Sequence, residues 1–377
     1  MLITVFLLSA LALCYTWIGY PVLLLLLARV RDVHIHKVDF TPTVTVIVAA
    51  RNEERNIRGR INNILQMDYP SNSLQLIVAS DGSTDRTAEI VREVSDPRLH
   101  LFAFPEARGR AAVHNDVTKS ATGEILVFTD AATRFPLDLL RRLVRNFADP
   151  RVGCVSSVVA FGSHNPTTVT AQRGLYWRYE YWLRSLETRC GLMCCASGPC
   201  MAVRRELFRP LGHGSYDVDF MTPLDVIQSN SLIVQDPEVL VTDEMFSVPA
   251  QEMRAQIRMV SRNLRGYLDR ACLLGSLHHA WSAWSLISHK VLRWMTPLFL
   301  LLMLISNTLL AATTGGLIIP WLIQMMFYMA AFSGWVFSKS NHRPASILAA
   351  PFAFCLANLG FLGGLLRCLR QERITVY

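Results

Sequence analysis

VTVIVAA (residues 44–50), LQLIVAS (74–80) and EILVFTD (124–130) are short runs dense in Val, Ile and Leu, each followed or closed by a polar cluster. Runs of this length, parted by polar, helix-compatible segments, predict buried parallel strands joined by crossover helices. Parallel strands point one way, so the clusters behind them fall on one edge of one sheet. Open α/β sheets bind ligands beyond the carboxyl ends of their strands, which makes that edge the candidate site. The clusters are Arg51-Asn52-Glu53-Glu54, Asp81-Gly82-Ser83-Thr84-Asp85 and Thr129-Asp130-Ala131-Ala132-Thr133. Singly, Asp-Gly-Ser and Asn-Glu are ordinary turn and cap chemistry. Three in register point to carboxylates that accept from a base or ribose, or hold a hard cation against phosphate oxygens.

VIVAARNEERNI, YPSNSLQLIVASDGSTDRT and ARGRAAVHNDVTKSATGEILVFTDAATRF are continued by SGPCMAVRRELF (197–208), DFMTPLDV (219–226) and SHKVLRW (288–294). In that order they resemble the motifs of family 2, inverting glycosyltransferases, similar to the cellulose- and hyaluronan-synthase-like superfamily. The resemblance implies an α/β, GT-A (nucleotide-diphospho-sugar transferase) fold: a mixed sheet with flanking helices. It implies nucleotide contact by Ala50, Arg51, Glu53 and Asp81, with the 49–53 loop cradling uracil and ribose and Asp81 accepting from the base. Arg108 and Arg110 flank Gly109 where the family has a Gly-Lys pair near the pyrophosphate. Arginine binds phosphate in bidentate fashion where lysine is a point charge, so the sign of the contact is kept. The resemblance puts the catalytic base at Asp219. Inverting transfer needs a carboxylate that takes the acceptor hydroxyl's proton while that oxygen attacks the anomeric carbon opposite the departing nucleotide.

The chain departs from the family pattern at three places. Ala132 stands where an Asp-x-Asp motif has its second ligand, leaving Asp130 as the one side chain for Mg²⁺ or Mn²⁺. Magnesium is often held by one or two carboxylates plus substrate phosphates and waters, so Asp130 alone could serve, or Arg108 and Arg110 could neutralise the charge instead. Val218 replaces the first acid of the catalytic pair, with Asp217 displaced by one; Asp219 is expected as base and helix N-cap together. The Gln-x-x-Arg-Trp element of processive relatives aligns with Ala255, Arg258 and Met259, so only Arg258 survives, as an interfacial or gating residue. Missing Gln and Trp argue against a long-chain polymer synthase.

With 51% hydrophobic residues and a mean hydropathy of +0.29, the chain is too apolar for an ordinary soluble protein of 377 residues. A charge-free stretch at 2–28 is long enough to span a bilayer, and Arg29 and Arg31 behind it predict an uncleaved anchor with the sheet domain in the cytosol. Three further spans are expected at 295–313, 317–337 and 346–366. The expected organisation is an anchor (1–31), a GT-A domain (40–248), amphipathic interfacial helices (249–294) and a transmembrane bundle (295–377). Lys339 and Arg343 fall inside on this count, but Arg367, Arg370 and Arg373 fall outside, against the positive-inside rule.

Between these landmarks, helices are expected at 53–66, 137–147, 167–186 and 249–274, and a strand at 152–161. Arg254, Arg258, Arg262 and Arg265 recur at helical spacing and suit an anionic membrane surface. Tyr176, Trp177, Tyr179, Tyr181 and Trp182 suit a sugar, lipid headgroups or plain packing. His114, on an Ala-rich helix beside Asn115, reads as a packing residue. Cys190, Cys194, Cys195 and Cys200 lack paired CxxC knuckles and read as buried thiols rather than a zinc site; nine cysteines in all imply no disulfide framework. The formal net charge of +8 is explained by juxtamembrane segments and a diphosphate, and no nucleic-acid motif accompanies it. The expectation is therefore a multi-pass protein of the inner or plasma membrane transferring a sugar from a nucleotide-sugar, most simply a UDP-sugar, to a lipid-linked or saccharide acceptor. A processive polysaccharide synthase and a degenerate, non-catalytic nucleotide-binding subunit of a polysaccharide complex are the alternatives. Donor sugar, linkage and oligomeric state are not legible.

Overall fold

The computed structural model describes residues 1–162, 168–212, 216–244, 249–270, 279–315, 317–338 and 346–371. At its centre lies a seven-stranded sheet in the order β3-β2-β1-β4-β6-β5-β7. The strands are β1 Val44–Ala50, β2 Leu74–Asp81, β3 Leu99–Phe104, β4 Ile125–Thr129, β5 Val152–Gly162, β6 Cys200–Arg204 and β7 Leu232–Glu244. β3, β2, β1 and β4 are parallel. β6 runs antiparallel to β4 and β5, and β5 is parallel to β7. The mixed α/β sheet with flanking helices expected from the sequence is thus what forms.

Helices α1 (Leu2–Cys14) and α2 (Tyr20–Leu27) join through a π-turn ahead of the sheet. Between strands lie α3 (Ile57–Leu65), α4 (Thr87–Arg92), α5 (Arg110–Val117), α6 (Leu139–Val144), α7 (Thr168–Cys190) and α8 (Val218–Gln228). After β7 come α9 (Pro249–Arg270), α10 (Ala280–Leu286), α11 (Leu292–Thr314), α12 (Ile318–Ser338) and α13 (Ser346–Leu369).

β1 shows why its run is unbroken rather than alternating. Val44, Val46, Val48 and Ala50 face a core shared with Ile57, Ile61 and Ile64 of α3, while Ile47 and Ala49 face a second core shared with Val113 and Val117 of α5. Both faces are covered, as a parallel sheet requires. Each fully buried Ile or Val here contributes about 1.5–3 kcal/mol of transfer free energy. β3 went unpredicted because it is an edge strand, and its half-exposed LHLFAF carries little of the apolar density of its neighbours. The helix expected from 53 starts at Ile57, since residues 53–56 form the turn behind β1. The 167–186 helix runs on to Cys190, and the 137–147 helix tightens to a 3₁₀ turn after Val144.

Among the described residues, four helices are long and apolar enough to cross a membrane: Leu2–Leu27, Ala280–Thr313, Ile318–Ser338 and Ile347–Leu369. The second begins some fifteen residues before the expected 295, because α10 and a π-turn at Ile287–Val291 continue directly into α11. Residues 280–294, expected among the interfacial helices, are therefore part of that apolar helix. α13 also departs from expectation. Cβ atoms added at Gly360, Gly363 and Gly364 would lie 2.6–3.0 Å from Gln256, Ile257 and Val260, so the end of α13 packs tightly on α9. Arg367 and Arg370 thus lie on the side of the sheet domain, not opposite it. Lys339, Arg343, Arg373 and the 271–274 end of the expected interfacial helix lie outside the described residues.

Candidate functional site

The loops behind β1 and β2 are bonded into one surface. Asn52, with a positive φ of 56°, accepts the Thr84 amide at 2.9 Å, and Glu53 donates its amide to the Thr87 hydroxyl at 2.8 Å. The Glu53 carboxylate accepts from Asn56 at 2.8 Å, and Asp85, just ahead of the α4 N-cap residue Arg86, takes the Thr87 amide at 3.0 Å. Ala50 is buried at the end of β1 and Arg51 is half-buried beside it. Asp81 differs from expectation. It is fully buried, and its two oxygens accept the amides of Arg108 at 2.7 Å and Gly109 at 2.9 Å. Those two bonds hold the 106–109 loop over the strand ends. Gly82 permits that approach: at φ +58°, an added Cβ would stand 2.3 Å from the Ala107 amide nitrogen.

The loop delivers Arg110 to the start of α5, where its guanidinium pairs with Asp130 just beyond β4. Arg108 points elsewhere, pairing with Asp116 and lying over the Phe104 ring. Of the two arginines expected at the diphosphate, the structure therefore brings only Arg110 to Asp130. Ala132 offers no side-chain ligand, and the Arg134 guanidinium donates to the carbonyls of Ala131, Ala132 and Thr133 at 3.1–3.3 Å. Arg60, on the core face of α3, donates to the Thr129 hydroxyl at 2.7 Å and stacks over Phe135; burial pushes its pKa down to about 9. Neither Arg60 nor Arg134 was anticipated. An arginine at a core position of an amphipathic helix, between Ile57 and Ile61, was the available signal.

Asp219 completes the cleft from the far side. Asp217, not Asp219, is the N-cap residue of α8, and Asp219 lies in its first turn. Burial raises the Asp219 carboxyl to about 6, aided by the Asp217 charge and opposed by Arg110. Its neighbour Gly198 keeps the approach open, since a Cβ there would stand 3.3 Å from Asp219 Oδ2. Asp217 pairs with Arg262 of α9 at 3.2 Å. Arg258, one turn before, is held below its usual pKa by burial and by Arg262 and Arg110, so it too faces this cleft. The sequence thus misplaced the cap by two residues and missed Arg262, whose partner lies 45 positions away.

Other candidates resolve as packing. His114 is fully buried against Phe128, with ring centroids 4.9 Å apart, and burial followed by the Arg110 charge holds it well below its usual pKa, hence neutral. Tyr179 stacks on Trp17 and Trp177 on Tyr181. Cys194, Cys195 and His289 are the one group among the described residues whose ligand atoms lie within 4.8 Å of one another. Both His289 nitrogens, however, already rest on carboxylates, at 2.8 Å from Glu187 and 3.1 Å from Glu180.

Residues 45–212 match the model of glycosyl transferase family 2. Among curated relatives, an N-acetylglucosaminyltransferase of Rhizobium sp. (strain N33) is 27% identical over 177 residues, 45% of this chain and 38% of its own length. A beta-monoglucosyldiacylglycerol synthase of Synechocystis sp. is 33% identical over 118 residues, 30% of this chain and 25% of its own. The chain thus spans well under half the length of either. A mannosyltransferase from Pyrobaculum calidifontis, solved with GDP-Man and Mn²⁺, superposes with a TM-score of 0.75 over 99% of this chain and 100% of its own, at 23% identity. That likeness shows the GT-A fold.

Proposed function

We propose that this family 2 glycosyltransferase moves a sugar, with inversion, from a nucleotide-sugar at the carboxyl edge of β1, β2 and β4 to a lipid-linked or saccharide acceptor. The observation that carries the proposal is the meeting of Arg110, Asp130 and Asp219, from three separate elements, in one cleft. Asp219 is the base: with a carboxyl at about 6 it is ionised near neutrality yet basic enough to take a hydroxyl proton as the acceptor oxygen attacks. The loop at Ala50, Arg51 and Glu53 holds the nucleoside, most simply of a UDP-sugar. Arg110 neutralises the departing diphosphate, with Arg258 on the opposite wall.

A divalent cation, Mg²⁺ or Mn²⁺, fits this site only through Asp130, because Ala132 supplies no ligand and Arg110 holds the carboxylate in its place. When bound it would add positive charge at the diphosphate, with substrate phosphates and waters filling its coordination. The reading places the protein in a cell inner or plasma membrane with the sheet domain on the cytosolic side, where nucleotide-sugars are made.

Purified full-length protein should release nucleoside diphosphate from one member of a panel of UDP- and GDP-sugars. Asp219→Asn should lower turnover by about 10²–10⁴. Unchanged turnover would remove the assigned base. Silence of the native protein toward every donor and acceptor would favour a nucleotide-binding subunit, and products longer than one added sugar would favour a processive synthase.

A further inference from the structure

Three charged residues of α7, Glu180, Arg184 and Glu187, recur at helical spacing on a face that is buried rather than solvated. Burying such a stripe is costly unless every charge is matched. Glu180 meets Lys290 at 2.8 Å, His289 at 3.1 Å and Arg184 at 2.9 Å, and also takes the Arg293 guanidinium. Burial alone would push the Glu180 carboxyl up, but Lys290, His289, Arg184 and Arg293 together outweigh it and hold it well below the usual range. Glu187 accepts from His289 at 2.8 Å and from the Tyr20 hydroxyl at 2.6 Å. α7 is thereby locked to the amino-terminal helix and to the apolar helix that starts at Ala280.

The other end of the stripe reaches the cleft. Arg184 donates to the Ser197 hydroxyl at 3.1 Å. Ser197 is held on β5 by its amide to Ser156 Oγ at 2.9 Å and by its hydroxyl to the Ser157 carbonyl at 3.0 Å. On one side of it, Ala196 donates its amide to the Asp219 carbonyl at 2.9 Å. On the other, Gly198 lies against the Asp219 carboxylate.

We propose that Glu180 and Arg184 are positioning residues that, through Ser197, hold the 196–198 loop against Asp219 and so couple the geometry of this side chain to the apolar helices. The inference rests on the proposed role of Asp219 as base. Apolar residues of similar volume would pack α7 as firmly. They would not fix individual atoms of the loop, whereas directional bonds at set distances do.

The test uses full-length protein in nanodiscs and three readouts: kcat and KM for the donor, the acidic limb of the kcat–pH profile, and hydrogen exchange of the 194–198 amides. Glu180→Gln keeps the shape and removes the charge. It should lower kcat at least about tenfold with donor KM little changed, speed exchange of the 194–198 amides, and move the acidic limb below its native position. The sign follows because a loosened loop lets water reach Asp219, whose charged neighbours are Asp217 and Arg110, with the Cys195 thiol behind it. Glu180→Asp should restore part of kcat. Ser197→Ala, which leaves no buried charge unmatched, should reproduce the exchange and pH effects if Glu180→Gln does not fold. Native kcat, pH limb and exchange in a folded Glu180→Gln or Ser197→Ala protein would overturn the coupling. If the native protein proves inactive toward every donor, the sugar-transfer reading falls, and the exchange readout alone still decides whether the loop depends on the ionic stripe.

Discussion

At Asp219 burial and the Asp217 carboxylate raise the pKa while Arg110 lowers it, and the balance near 6 fits a base that works at neutral pH. Activity should therefore fall as pH drops through about 6, when Asp219 takes up its proton, and the measured limb should move down in Asp217→Asn, which removes the like charge. An unmoved limb would place the titrating group elsewhere. Position 132 tests the cation account. Ala132→Asp should strengthen dependence on Mn²⁺ in a titration of turnover, because a second carboxylate gives the cation another ligand with which to displace Arg110 from Asp130. Asp130 was legible as the acid that closes its apolar run, whereas Arg110 and Asp219 were picked out only by the resemblance to the family. The roles of Arg60, Arg134 and Arg262 were not legible, since each is defined by a partner on another element.

α9 is the element on which the two halves of the molecule meet. One face sends Arg258 and Arg262 toward the cleft, and the other lies on the glycines of α13. Small residues let helix backbones approach closely, and here the approach leaves no room for a side chain. A Cβ at Gly364 would stand 2.6 Å from Val260 Cβ. Gly364→Leu should thus cost roughly 1–3 kcal/mol by overpacking, seen as a lower thermal midpoint in detergent, and should depress turnover by displacing the arginines. A variant with native midpoint and turnover would show the seam to be slack. The arginine periodicity of α9 was readable from its sequence, but the glycines of α13 looked like ordinary features of an apolar helix, and only their contact with α9 gives them meaning.

Over the whole molecule, the end of α13 returns to the sheet domain, so Arg367 and Arg370 stand on the same side as Asp219. With the sheet domain on the cytosolic face, as proposed, this placement agrees with the positive-inside rule and would leave an even number of crossings among the last three apolar helices. A carboxy-terminal reporter should be active on the same membrane face as one inserted in the sheet domain; activity on the opposite face would refute the arrangement. Strands β1, β2, β4 and β5, the apolar spans and the acidic edge of the sheet were legible in the sequence alone, the mixed sheet followed from the family resemblance, and β3 and β7 were not anticipated. Apolar runs and turn residues act over a few positions, and a parallel sheet places its strand ends together whatever else the chain does. The loop that consumes Asp81, the shift of the cap to Asp217, the ionic stripe of α7 and the return of α13 were decided only by tertiary structure. Each depends on pairing groups tens to hundreds of residues apart, and no local pattern records which buried charge will meet which.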